Sequence, residues 1–374
     1  MTWRGWWLER VLHRQSPRST PPLSPDRVRR ILVLHHYDIG DVLCATPTLR
    51  ALRRAFPAAH LAFLVAEYCR AVVERNPDVD EVLTYTRAKH RSGWLGRLAY
   101  GDLMRVTGYI RRGRFDLAIA IRRPFSNTNA WLAYASGAPW RLGYPAPASH
   151  PFRFFLNLRG EVGDQVLHEV DVGLALLASI GIPAVGRELT LAPDPDAQAA
   201  VRRRLREAGV AGGEGLALVH ISSKREANRW PLPAFARAAD ALHERLGLSV
   251  LLSWAPGDSR NPLFPGDDGR VEEVAARMRT RSILLRTPAL PELIAAVSLS
   301  DFVLSPDGGC MHIAAALGIP QVALFGKTDP RRWGPVNQKS LVLHGNGRAD
   351  RISVEEVVDA AVAVMSRWGR GRAA

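Results

Sequence analysis

The sequence predicts an α/β fold made of two doubly wound, Rossmann-like domains facing a central cleft. Two observations carry this expectation. Apolar runs of strand length alternate with helical patterns along most of the 374 residues, and the alternation comes in two series, the second beginning near residue 190. Such alternation means parallel strands joined by right-handed helical crossovers. Open sheets of this kind bind ligands at the C-terminal ends of their strands, so the chemistry is expected there.

The first series has candidate strands at 30–35, 60–65, 80–85, 115–121 and about 141–145, with helical patterns near 46–56, 67–75 and 125–136. The segment "HEVDVGLALLASIGIP" (168–183) is apolar at helical spacing and leads to the expected junction. The second series has strands at 215–221, 248–253, 281–285, 301–304 and 320–325 and helices near 195–208, 232–246, 269–279, 290–298 and 309–317, followed by a terminal amphipathic segment at 353–368. The expected organisation is a basic Trp/Arg-rich tail and linker (1–28), a domain over 29–187, a domain over 188–352, and a C-terminal helix and tail (353–374). The tail, "MTWRGWWLERVLHR", lacks the apolar core of a secretory signal; it reads equally as an interfacial helix or a frayed end.

At 47% hydrophobic and 23% charged, the chain has a globular composition. No run of eighteen apolar residues marks a transmembrane helix. Cys44, Cys69 and Cys310 form no CxxC pair or metal-ligand spacing and suit a reducing compartment. The net charge is +14, and ten Lys/Arg residues lie between Arg87 and Arg123 against only Asp102 and Asp116. Such a stretch attracts an anionic partner, or else forms a solvated basic face. No nucleic-acid-binding motif accompanies it, so no nucleic acid is expected.

Two stretches carry chemistry. "HHYDIGDVLCATP" (35–47) sets Asp38, Gly40 and Asp41 where a strand gives way to a helix. A carboxylate there can cap the helix or act as a general base. "DFVLSPDGGCMHIAAALGIPQVALFGKTDPRRWGP" (301–335) contains a strand, then Asp307-Gly308-Gly309, then a helix with His312 in its first turn, then a strand ending at Gly326-Lys327-Thr328. Glycines let a backbone approach a ligand and tolerate positive φ, and a helix N-terminus offers N–H groups to phosphate. The pattern reads as a diphosphate cradle; taken singly, Asp307 also reads as an N-cap and His312 as a packed core histidine.

These residues resemble the lipopolysaccharide heptosyltransferases, inverting glycosyltransferases of the GT-B fold (glycosyltransferase family 9). The C-terminal signature matches at Asp307-Gly308-Gly309, His312 and "FGKT", and the N-terminal one at Gly40-Asp41, Thr46-Pro47 and Phe56-Pro57. "RLGY" (141–144), His168-Glu169, Arg229-Trp230-Pro231 and Ala255-Pro256-Gly257-Asp258 agree as well. The resemblance spans about residues 30 to 335 and implies several roles. Asp41 would be the base that deprotonates the acceptor hydroxyl. Asp38 has no such counterpart and reads as a loop or capping residue. Asp307, Gly308, Gly309, His312, Lys327, Thr328, Ser222, Ser223, Lys224, Arg229 and Asp258 would hold the nucleotide sugar. Gly40, Arg122 and Arg123 would meet the acceptor, since arginine matches carboxylates and phosphates bidentately.

The resemblance further implies an ADP-heptose donor and an anionic inner-core glycolipid acceptor, at a cytoplasmic site peripheral to the inner membrane. No cofactor or metal is expected, because no Asp-x-Asp stands at a strand end. Three departures are evident. Gly308 replaces the family's threonine, Asn228 replaces a lysine before Arg-Trp-Pro, and Asp258 stands where a glutamate is usual. Two alternatives stay open: another nucleotide-sugar donor or acceptor, or a relative that binds anionic glycan without turnover.

Overall fold

A computed structural model describes residues 23–86, 94–161, 163, 165–210, 213, 215–258 and 266–369. The expectations for the tail before residue 23 and for Arg87, Lys89 and Arg91 lie outside these residues. The packing divides the chain between Arg187 and Glu188 into two compact units.

Among the described residues, the first unit holds a six-stranded sheet in the order β3-β2-β1-β4-β5-β6. Its strands are β1 (Arg30–Leu34), β2 (His60–Ala66), β3 (Glu81–Tyr85), β4 (Leu117–Ala120), β5 (Trp140–Gly143) and β6 (Leu158–Arg159), all paired in parallel. β1 and β4 are buried apolar runs, as parallel strands covered on both faces should be. The helices are α1 (Ile39–Cys44), α2 (Thr46–Ala55), α3 (Arg70–Val73), α4 (Trp94–Arg112), α5 (Asn127–Ala135) and α6 (Glu169–Ala178). From β1 the chain winds outward through β2 and β3, then returns to β4 and proceeds the other way. The switch point therefore lies between the C-terminal ends of β1 and β4.

The second unit repeats the plan. Its sheet order is β12-β11-β10-β7-β8-β9, with β7 (Leu216–His220), β8 (Ser249–Ser253), β9 (Ser282–Leu284), β10 (Phe302–Pro306), β11 (Gln321–Phe325) and β12 (Ser340–His344). Its helices are α7 (Pro195–Glu207), α8 (Leu232–Leu246), α9 (Asp268–Arg277), α10 (Leu290–Ser298), α11 (Gly309–Ala316), α12 (Pro330–Trp333) and α13 (Val354–Trp368). Here the switch point lies between β7 and β10. α8 stops at Gly247, whose φ of 63° lies in the left-handed region glycine favours. α13 starts with a capping box: Ser353 Oγ accepts from Glu356 N (3.1 Å) and Glu356 Oε2 accepts from Ser353 N (2.8 Å). Val357, Val358, Ala361 and Val364 of α13 join the same core as Phe235, Leu252 and Phe302.

Five elements were not expected, among them the single turn α12 after Asp329. α1 is a separate turn of helix ahead of the Thr46-Pro47 start of α2. α4 runs through the basic stretch, where charge and Gly101 and Gly108 masked its period. β6 spans two residues, and β12 is a partly exposed edge strand whose short apolar run, Leu341-Val342-Leu343, stands between polar flanks.

Candidate active site

In the first unit, Asp38 is the N-cap of α1, with extended backbone (φ −78°, ψ 171°). Tyr68 donates its hydroxyl to Asp38 Oδ1 at 2.6 Å. Asp41, third in the helix, accepts the Asp38 N–H on Oδ2 at 3.2 Å. Asp41 is 7% exposed, and its Oδ1 accepts from Arg122 Nη1 at 2.9 Å. Arg122 enters from the loop after β4, and its guanidinium lies 4.1 Å over the Tyr37 ring. Tyr37 in turn donates to Ser126 Oγ at 2.7 Å. Asp41 thus serves at once as helix cap and as an ion-paired carboxylate at the switch point. Gly40 is buried within α1 beside it.

His35 closes the floor of this site. Its Nδ1 meets the Ile121 carbonyl oxygen. Burial pulls its pKa down to about 4, against the opposing pull of the Glu169 carboxylate. His35, Asp41 and Glu169 are all buried and offer ligand atoms within 4.8 Å of one another, the arrangement a small cation would need. The Arg122 guanidinium already places a positive charge on Asp41, which disfavours a second one there. Arg123 lies apart, donating to the carbonyls of Gln165 (3.2 Å) and Gly163. The basic stretch is accordingly split: Arg105 pairs with Asp102 on α4 at 2.7 Å, while Arg122 turns inward to Asp41.

In the second unit, three loops meet at the switch point. The loop after β7 carries Ser222 and Ser223, both buried. Ser222 Oγ accepts the Ala255 N–H at 2.9 Å, and Ser223 Oγ donates to the Asp307 carbonyl at 3.2 Å. Asn228 is fully buried and joins all three loops. Its Nδ2 donates to Asp307 Oδ2 (2.9 Å) and Thr328 Oγ1 (2.8 Å), and its Oδ1 accepts from Gly326 N (3.1 Å) and Lys327 N (3.0 Å). Gly326 permits this approach, since a Cβ there would fall 1.8 Å from the Ala227 carbonyl oxygen. Burial raises the Asp307 pKa, opposed by bonds from Thr328 and Asn228 and by the Arg225 charge.

The Asp307-Gly308-Gly309 turn opens α11 as expected, but not through positive φ. Gly308 has φ 165°, extended backbone that any residue adopts. His312 is buried in the first turn of α11, edge-on to Trp333 with centroids 6.4 Å apart. Lys224 and Lys327 are exposed. Arg229 is committed to the protein itself: Nε donates to the Ser223 carbonyl (2.9 Å) and Nη1 to buried Asp267 (2.8 Å). Asp258 is exposed at the end of the loop after β8. The expected donor-side residues therefore gather on the loops at the end of one sheet. Asp41, Gly40, Arg122 and Arg123 belong to the other. Sequence reasoning missed Tyr37 and the bonding role of Asn228. Asn228 follows the run Lys224-Arg225-Glu226-Ala227 directly before Arg-Trp-Pro, and nothing in that run singled it out.

Two doubly wound sheets with these strand-end loops define a glycosyltransferase of the GT-B class. The family model "Glycosyltransferase family 9 (heptosyltransferase)" matches residues 103–357, and the chain belongs to that family. Among curated relatives, it is 23% identical over 316 residues to lipopolysaccharide heptosyltransferase 3 of Escherichia coli, covering 79% of this chain and 83% of that one. It is 23% identical over 346 residues to lipopolysaccharide heptosyltransferase 2 of E. coli K12, covering 84% and 87%. Among solved structures, the glycosyl transferase family 9 protein of Veillonella parvula superposes with a TM-score of 0.79 at 24% identity, covering 91% of this chain and 97% of that one. E. coli ADP-heptose LPS heptosyltransferase II gives 0.70 at 20% identity, covering 90% and 99%. No helix among the described residues is long and apolar enough to cross a membrane.

Proposed function

We propose that this glycosyltransferase moves a heptose from ADP-heptose to an anionic inner-core glycolipid, with inversion and without a metal ion. The observation that carries the reading is Asp41, a buried carboxylate at the switch point of the first sheet, held by a helix cap on one oxygen and by Arg122 on the other. A fixed carboxylate within reach of a hydroxyl can take its proton late in the transfer despite an ordinary carboxylate's weak basicity. The acceptor oxygen then bonds to the anomeric carbon, and the bond to the nucleotide diphosphate breaks on the opposite face. Negative charge grows on the departing diphosphate. The N-terminal N–H groups of α11 are suited to stabilise it. The relatives named above are lipopolysaccharide heptosyltransferases, one of them an ADP-heptose LPS heptosyltransferase, which supports the donor and acceptor proposed. The strand-end arginines suit an acceptor bearing carboxylates and phosphates. Reaction at the cytoplasmic face of the inner membrane follows from that acceptor.

The test is ADP release from ADP-heptose with a deacylated core acceptor, in the presence of EDTA. Acceptor-dependent release that survives EDTA supports the reading. A strict need for a divalent ion overturns its metal-free part, and turnover only with another nucleotide sugar overturns the donor.

A further inference from the structure

The donor-side loops contain more polar groups than a diphosphate can use, because most are already bonded to one another. Asn228 has two amide donors and one carbonyl acceptor, and all are engaged in the four bonds described above. Thr328 Oγ1 accepts from Asn228 and from Arg225. Position 228 is therefore a neutral clip, and the charge for an anion must come from elsewhere.

Four cations stand on these loops: Lys224, Arg225, Arg229 and Lys327. Arg229 is neutralised by Asp267, whose side chain is wholly buried. The side chains of Lys224 and Lys327 are exposed, with no bond into the clip. Arg225 differs from all three. One N–H is anchored to Thr328 Oγ1 at 3.1 Å. Its other four donors make no hydrogen bond and it forms no salt bridge among the described residues, although its charge reaches the Asp307 carboxylate.

We propose that Arg225 is the cation that binds the diphosphate of the nucleotide in this chain, with Asn228 and Thr328 as the residues that position it. This rests on the donor-site reading above. It adds that the charge is delivered as a guanidinium fork held by a threonine, three residues before the neutral clip. A planar fork meets two phosphate oxygens in a fixed bidentate geometry, whereas a lysine acts as a point charge on a flexible stem.

The experiment is calorimetric titration of the full chain with ADP, inorganic pyrophosphate and adenosine, for wild type, Arg225→Ala, Arg225→Lys and Lys224→Ala. Arg225→Ala should weaken ADP and pyrophosphate by about tenfold or more while leaving adenosine within about twofold, and Arg225→Lys should fall between. Because Arg225 is exposed, the thermal midpoint of the variants should match wild type. Unchanged ADP affinity in Arg225→Ala overturns the inference. So does equal loss of ADP and adenosine, which marks collapse of the cradle, or a loss confined to Lys224→Ala. A wild-type chain that binds no nucleoside diphosphate instead removes the donor-site reading on which the inference stands, a result the titration separates from the others.

Discussion

Arg122 and Asp41 form an ion pair, Nη1 to Oδ1 at 2.9 Å, although they lie 81 residues apart. β1 and β4 are neighbours in the sheet, so the loops that follow them bring the two side chains together. The pair fixes the carboxylate's orientation, and Tyr37 fixes the arginine.

Replacing Asp41 by Asn keeps the size and one oxygen for the Asp38 N–H but removes the base. Transfer is expected to fall by at least about a hundredfold. ADP affinity should not change, since the donor loops belong to the other unit. Single-turnover rates and ADP titration measure the two. Transfer within a few-fold of wild type would sink the assignment of Asp41.

Arg122→Ala is expected to raise the KM for the acceptor about tenfold or more, the loss of a charge-assisted contact. ADP inhibition should stay where it was. Loss of the orienting ion pair should also lower kcat, and Arg122→Lys should restore part of both. An unchanged acceptor KM in Arg122→Ala would remove Arg122 from the acceptor site.

Gly308→Thr tests whether the missing hydroxyl matters. The backbone there is extended, and a Cβ would have only the Pro306 carbonyl oxygen as a neighbour, at 4.0 Å. The variant should fold normally. A hydroxyl bonded to a phosphate oxygen should tighten ADP by about 0.5–1.5 kcal/mol, roughly two- to tenfold in Kd. Unchanged ADP binding in a folded variant would show that position 308 does not face the diphosphate.

Asn228→Ala removes four bonds and leaves the Gly326 and Lys327 N–H groups without their partner. The expected cost is on the order of 3 kcal/mol, because buried donors left unpaired are expensive. A unit of this size should then lose roughly 6–12 °C in thermal midpoint. Scanning calorimetry reads this directly, and an unaltered midpoint would refute the clip.

His220 is held neutral by burial, with its pKa lowered from 6.5 to about 4, and the nearby Asp267 charge only partly opposes this. Unfolding exposes a ring that binds a proton below about 6.5. The stability it contributes is therefore full above 6.5 and is lost as pH falls toward 4. The loss amounts to roughly 3 kcal/mol at the acid end. His35 behaves alike in the other unit. Urea unfolding at pH 7, 5.5 and 4.5 should show the decline. His220→Gln should flatten it, and an identical slope in the variant would count against the buried neutral ring.

Much of the architecture was legible in the sequence because a parallel strand covered on both faces needs a continuous apolar run. "ILVL", "LALV" and "VALF" announce β1, β7 and β11 for that reason. β12 offers an apolar run of only three residues at an edge, and α4 hides its period under arginines, so neither was. At the site, residue types with one dominant chemistry were placed well: Asp41 at a helix start, glycines before α11. What could not be read was how polar groups spend their bonds. Asn228 read as a missing charge, and only the fold reveals that four partners from two other loops converge on it. Arg229 was expected to hold the nucleotide sugar, yet a buried Asp267, 38 residues away, claims its guanidinium.

The repeated strand order has a consequence for how such chains can diversify. Each half encloses its own core and its own switch point, the break falls between Arg187 and Glu188, and the final helix stays with the half that precedes it. Grafting residues 188–374 of one family member behind residues 1–187 of another should therefore be tolerated as a shuffling of intact modules. One half can then be exchanged by recombination at a single crossover, without rebuilding either interior.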